Sequence, residues 1–159
     1  MGEGVDLSGA NLAGISLVGL DLSGARLRGA DLTDADLSRA NLAGARLSNA
    51  DFRHAILSEA NLSEALLWDT RLEKAILQDA RLVGADMSRA HLAGAILWHA
   101  DLTGANVLNV DFSDVDLRQT TITHDQLLRA ASLNGTQFVG DQSLRLRLLR
   151  GLGRGKRKE

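Results

Sequence analysis

The sequence contains no cysteine, no proline and no tyrosine, and aromatic residues make up only 3% of it. Without cysteine there is no disulfide framework, no thiolate nucleophile and no thiolate zinc site. Its absence also suits a reducing compartment. With so few aromatics, the core has to be built from small aliphatics, and Leu, Ala and Gly dominate the composition. No stretch approaches the roughly 18 continuous apolar residues of a membrane span, so no membrane insertion is expected. The opening MGEGVDLSGA lacks the basic-then-apolar order of a secretory signal, and Asp6 stands where a myristoylation motif wants Ser or Thr. A cytoplasmic location is the expectation.

What is present is regular. A chain of 159 residues with 45% hydrophobic content is enough for one domain with a core. Stepping by five from Leu7 to Leu127 gives 25 positions, 20 of them Leu and the others Phe52, Met87, Val107, Phe112 and Ile122. Two residues before each, from Val5 to Thr120, 17 of 24 positions are Ala and none is charged. A five-residue period fits no helix, because successive leucines would advance about 500° around a 3.6-residue turn and scatter over all sides. The Ala and Leu of one unit, two apart, instead share one face of an extended segment. The residues after Leu, often Ser-Gly, Ala-Gly or Ser-Arg, turn a corner. Short straight segments bent in a constant sense wind into a solenoid with Ala and Leu inside. Val5, Ile15 and Leu20 at one end, and Val110 and Val115 at the other, replace Ala where a coil has no neighbour, and are expected to plug the ends.

The tandem A-[D/N]-L-x-x units, such as ANLAG at 10–14, ADLTD at 30–34, ADLSR at 35–39 and ANLSE at 60–64, resemble the pentapeptide-repeat proteins over residues 5–124. The resemblance implies an all-β, right-handed quadrilateral β-helix with 20 residues per coil. About six coils, stacked about 4.8 Å apart, make a rod on the order of 30 Å long. The sequence divides into a β-helix over 1–124, a helical cap and dimerisation segment over 125–150 and a basic, disordered tail over 151–159. Thr123, His124, Asp125 and Gln126 form a capping-box pattern, which places a helix over LLRAASL with Asn134-Gly135 as its stop. In DQSLRLRLLR, Leu144, Leu146 and Leu148 alternate like a strand, while Leu144, Leu148 and Leu152 suit a helix, the favoured reading. Family members often dimerise through their C-terminal segment, which implies a homodimer and cap built on Leu127, Leu128, Leu133, Phe138, Leu144 and Leu148.

Nothing in the pattern reads as catalytic. Residues 20 apart stack in one column, and His54, His91, His99 and His124 fall in four different columns, so no metal site is expected. There is no Ser-His-Asp set and no P-loop, and the glycines recur at corners. The chain reads as a non-enzyme with no cofactor.

Two surface signals remain. Residues 1–125 carry 18 Asp or Glu against 10 Lys or Arg, a net −8, while residues 126–159 carry 2 against 8, a net +6. The quinolone-resistance members of the family bind DNA gyrase through an acidic rod resembling duplex DNA. That resemblance implies an alternative function as a gyrase or topoisomerase binder through Asp21, Asp31, Asp51, Asp86, Asp101 and Asp111. The match in charge density is dilute, since duplex DNA presents about one charge per 1.7 Å and −8 over the rod length is nearer one per ~4 Å. No direct DNA binding by the acidic rod is expected. The basic tail, Arg145 to Lys158, offers a third class, an adaptor to nucleic acid or an anionic surface.

The second signal is apolar residues where the repeat is wet. Ile56, Ile76 and Ile96 are spaced by 20, with Trp98 two residues on, and form a stripe over three coils. Leu66, Trp68 and Leu108 belong to the opposite face and form a second apolar patch. The leading expectation is a protein–protein interaction or scaffold module whose partner contacts Ile56, Ile76, Ile96 and Trp98.

Overall fold

The computed structural model describes residues 4–138. Its backbone is a succession of single-residue parallel bridges joining positions 20 apart, eighteen of them, from Asp6↔Arg26 to His91↔Asp111. Four pentapeptides make one circuit, and the residue before each Leu is the bridging position.

The pentapeptide is explained by where its five backbone N–H groups go. In the unit around Leu37, the Leu37 N–H donates forward to the Ile56 carbonyl (2.7 Å) and the Arg39 N–H to the Ser58 carbonyl (2.9 Å). The Ala40 N–H closes the corner on the Leu37 carbonyl (3.0 Å), and the bridging Asp36 N–H donates back to the Ile15 carbonyl (2.9 Å). The fifth donor, on the residue after Leu, is met by a side chain: Asp36 Oδ1 accepts from the Ser38 N–H at 3.0 Å. All thirteen Asp and Asn residues at bridging positions, from Asp6 to Asp116, accept in this way. The polar residue before Leu is therefore a local cap, the side-chain-to-backbone bond that suits Asp and Asn to turns.

Each corner is a four-residue turn whose third residue has positive φ. This holds at every fifth position from Gly9 to Asp114, and thirteen of these positions are not Gly, among them Glu59 (φ 60) and Lys74 (φ 59). A turn with φ > 0 at its third residue favours Gly or Asn, so bulkier residues sit here at some conformational cost.

From Ala25 to Leu117 the Ala and Leu columns are closed off from water, with Leu27, Ala45, Phe52 and Phe112 at 0% exposure. The narrow interior accounts for Ala: one large and one small side chain per unit fill it at native density. Thr70 takes an Ala place and satisfies its buried hydroxyl by donating to the Leu67 carbonyl.

The two ends behave differently. Val110 and Val115 are buried, as their plugging role requires, whereas Val5, Ile15 and Leu20 are 40–52% exposed, with no layer over the first circuit among the described residues. At the C-terminal end the capping box is formed: Gln126 N–H donates to Thr123 Oγ1 and Thr123 N–H to Gln126 Oε1. The helix it starts, α1 (His124–Leu127), is a single turn and does not run on to Asn134-Gly135. Instead the chain rejoins the ladder with one residue added to the register, through Asp111↔Ser132 and Asp116↔Gln137. Gly135 (φ 68) is another corner and not a helix stop. The Gln126 amide anchors the turn by donating to the Leu102 and Ala105 carbonyls (2.8 and 2.9 Å). The expected helix over 141–150 and the tail 151–159 lie outside the described residues.

Candidate functional site

The register sorts bridging positions into four columns, one per face. One is polar throughout its middle: Asn41 Nδ2 donates to Asp21 Oδ1 (2.9 Å) and Asn61 Nδ2 to Asn41 Oδ1 (3.0 Å), a side-chain ladder running up the face. The opposite face, two pentapeptides on, carries Asp31, Asp51, Arg71, His91 and Asp111. There Asp51 is tied to Arg53 (2.7 Å) and Arg71 (3.3 Å), with Arg71 also 3.8 Å from Glu73.

A third column holds the stripe. Ile56 bridges Ile76 and Ile76 bridges Ile96, so the three side chains are brought into one row. Exposure rises along it: Ile56 and Ile76 are half-buried, Ile96 is 38% exposed and Trp98 49%. The residues after Leu on this face, Ser58, Gln78 and Trp98, receive no carboxylate or amide cap, because Ile has no acceptor. Arg39 pairs with Glu59 beside the stripe (3.2 Å).

Beyond Ile96 the regular ladder lapses. Among the described residues no bridge or backbone hydrogen bond joins 95–99 to 115–119, and Gln119 drops out of the positive-φ series. The opening is a cleft of about 520 Å³ lined by Trp98, Asp116, Arg118 and Gln119. Arg118 forks onto Asp116 through Nε–Oδ1 (2.9 Å) and Nη2–Oδ2 (2.7 Å). Nothing in the five-residue period announces this cleft, since Asp116 and Leu117 keep the pattern.

Leu66 (41%), Trp68 (37%) and Leu108 (46%) are also exposed, but not as a row: Leu66 bridges Arg46 and Asp86. Of the leucines and Phe assigned to the C-terminal segment, Leu127 and Leu133 are buried, Phe138 packs partly against the core, and Leu128 is 49% exposed. Leu144 and Leu148 lie outside the described residues.

The acidic residues are dispersed. Asp21 and Asp101 share one face, Asp31, Asp51 and Asp111 another, and Asp86 a third. Several carboxyls are held below their ordinary pKa by local hydrogen bonds. For Asp21 these come from the Ser23 N–H and hydroxyl, for Asp101 from the hydroxyls of Thr103 and Thr121, and for Asp51 chiefly from the Arg53 side chain. Among the described residues no three His, Asp or Glu side chains are grouped to hold a metal ion, and no helix is long and apolar enough to cross a membrane.

A 20-residue parallel register, corners at every fifth residue and Ala and Leu columns within define a repeat protein wound as a β-helix. Comparison with known families agrees: the family described as Pentapeptide repeats matches in eight copies, over residues 3–39, 21–58, 30–69, 55–92 and 80–119. The chain belongs to the pentapeptide-repeat family, whose fold is a right-handed β-helix. No curated protein matches it. Among solved structures it is similar to a pentapeptide-repeat protein from the Arabidopsis thaliana thylakoid lumen, at 32% identity over 74% of each chain with a TM-score of 0.47. It is also similar to one from Nostoc Pcc 7120, at 31% identity over 65% of this chain and 84% of that one, TM-score 0.45. QnrB1, a plasmid-mediated fluoroquinolone resistance protein, matches at 20% identity over 94% of this chain and 98% of its own, TM-score 0.41. At that identity the likeness does not extend to a shared partner.

Proposed function

We propose that this chain is a non-enzymatic interaction or scaffold module that binds a protein partner through the face of Ile56, Ile76, Ile96 and Trp98. The observation that carries the reading is the row of three stacked isoleucines leading to a tryptophan that is 49% exposed. The Asp and Asn residues at bridging positions have a structural use as caps, and the isoleucines forgo it. Covering what remains exposed of each Ile contributes a part of the about 1.5–3 kcal/mol that full burial of such a side chain is worth, and Trp98 adds the largest exposed apolar surface on the face. In this reading the rod has about six coils, with the turn of α1 and the returning coil over 132–137 closing its C-terminal end. The exposed Leu128 serves homodimerisation, and the protein works in the cytoplasm.

The test is affinity capture from native lysate with the full chain and with Ile76→Asp. Loss of the captured protein with an unchanged circular dichroism spectrum supports the face; undiminished capture sinks it.

A second reading, a DNA-mimicking binder of gyrase or another topoisomerase, draws on the described body's 17 acidic against 11 basic residues, a net −6. Dispersal over three faces and neutralisation of Asp51 count against it. Gyrase supercoiling that is neither inhibited nor protected at low salt, where electrostatics act farthest, removes it.

A further inference from the structure

We propose that the Ile56–Ile76–Ile96 face is covered by the same chain's C-terminal segment, residues 139–159. This deepens the reading of that face as a binding surface and rests on it.

Three observations converge. The first is where the described chain ends. Gln137 bridges Asp116, and its carbonyl accepts from the Leu117 N–H at 2.6 Å. Asp116 belongs, by the 20-residue register, to the column of the isoleucines, so the chain leaves Phe138 on the stripe's own face, across the Trp98 cleft. The second is reach. Ile76 lies three layers from Gln137, about 15 Å at about 4.8 Å per layer. Ten residues cover that distance even at the compact rise of ~1.5 Å each, and at ~3.3 Å each they cover twice as much.

The third is chemistry. Residues 139–159 carry seven Lys or Arg against two Asp or Glu, a net +5, facing a described body of net −6. Within the segment, Leu144 and Leu148 fall on one side whether the period is two or 3.6, which gives an apolar edge to lay on the row of isoleucines. Asp79 sits at the corner beside Ile76, and Asp36 continues the same column, while Arg39 on that flank is already paired with Glu59. The face thus offers carboxylates to the segment's basic residues and an apolar row to its leucines. A partner for this face would have to displace the segment, and its apparent affinity falls with the fraction of chains left open.

The cysteine-free sequence makes the contact measurable in the full chain. One variant carries Gln78→Cys, an exposed site two residues past Ile76, together with Ser143→Cys; a second carries Leu108→Cys on the opposite face with the same Ser143→Cys. Leu108 is nearer the C-terminal end of the rod, so a segment with no preferred site reaches it at least as readily. With a short thiol cross-linker, the first variant is expected to close within one chain several-fold faster than the second. Adding Leu144→Asp and Leu148→Asp, or raising salt to about 1 M where the screening length is ~3 Å, should erase the difference. Equal rates in the two variants overturn the proposal, and so does a product that is mainly cross-linked dimer, which would assign the segment to a second copy. Partner capture is scored separately: a cross-linking preference without capture removes only the partner reading, and capture lost in Ile76→Asp without a cross-linking preference removes only the cover.

Discussion

Two adjacent columns of this rod share one backbone and use it in opposite ways. In the column of Asp21, Asn41 and Asn61, each side chain caps the N–H two residues on, and the amides of Asn41 and Asn61 also donate to the layer behind. In the column of Ile56, Ile76 and Ile96, the same bridges form at the same register, yet the side chains do nothing for the backbone. An Asp or Asn in this slot is accounted for as a cap; an isoleucine, like Arg26, Arg46, Arg71 and Arg81, is not. The difference separates the positions that maintain the rod from those that are free to face something else.

The largest effect should not distinguish the columns at all. Leu57 beneath the isoleucines and Leu62 beneath the asparagines are each 1% exposed, so Leu57→Ala and Leu62→Ala should each cost about 2–5 kcal/mol and agree closely in denaturant titration. A wide gap between them would mean that the two faces are not held by the same core.

The columns should part at the surface. Asn61→Ala removes the bonds from the Ser63 N–H and hydroxyl and the bond to Asn41, and should cost about 1–2 kcal/mol. Ile76→Asn moves the other way: it supplies Gln78 with the missing cap, so unfolding should shift by less than about 1 kcal/mol while partner capture is lost. If Ile76→Asn proves as destabilising as Asn61→Ala, the isoleucine row is a structural element and the asymmetry disappears.

The smallest effect per group is the dependence on pH. Asp21 and Asp101 are held below the ordinary carboxyl value by hydrogen bonds, so their contribution is present above about pH 4 and is lost as pH falls through their lower folded values. The thermal midpoint should be level above about pH 5 and decline below about pH 4. Asp21→Asn with Asp101→Asn, which keeps an acceptor oxygen at both caps, should flatten that decline. An unchanged slope would locate the acid sensitivity on another face.

Much of this was legible in the sequence, for physical reasons. A period without insertions fixes which residues are 20 apart, so the isoleucine row and the separate placement of Leu66 and Trp68 follow from counting. The caps were legible too, in the Ser or Thr two residues after Asp6, Asp21, Asp31, Asp36 and Asp101, but a pattern of wet positions reads first as solubility. The length of α1 was not legible. Its capping box is real, yet the Leu127–Leu133 stretch serves a returning coil as well as a helix, and burial of Ala130 and Leu133 against the last layer decides for the coil. The Trp98 cleft was hidden because it arises from a lapse in pairing between layers, while the residues on both sides keep their pattern.

The fixed register also limits how such a rod can be edited. Losing or gaining one residue inside it would carry the later leucines out of the core unless the pattern shifts with it, as it does for Leu133 after the added residue, and inserting one pentapeptide would rotate everything downstream by a quarter turn, carrying Ile96 off the row of Ile56 and Ile76. Only a copied block of 20 leaves each face in place. The triplet Ala-Ile-Leu recurs at 55–57, 75–77 and 95–97, as whole-coil copying would leave it. A rod of this kind can lengthen one of its surfaces by duplication without redrawing the other three.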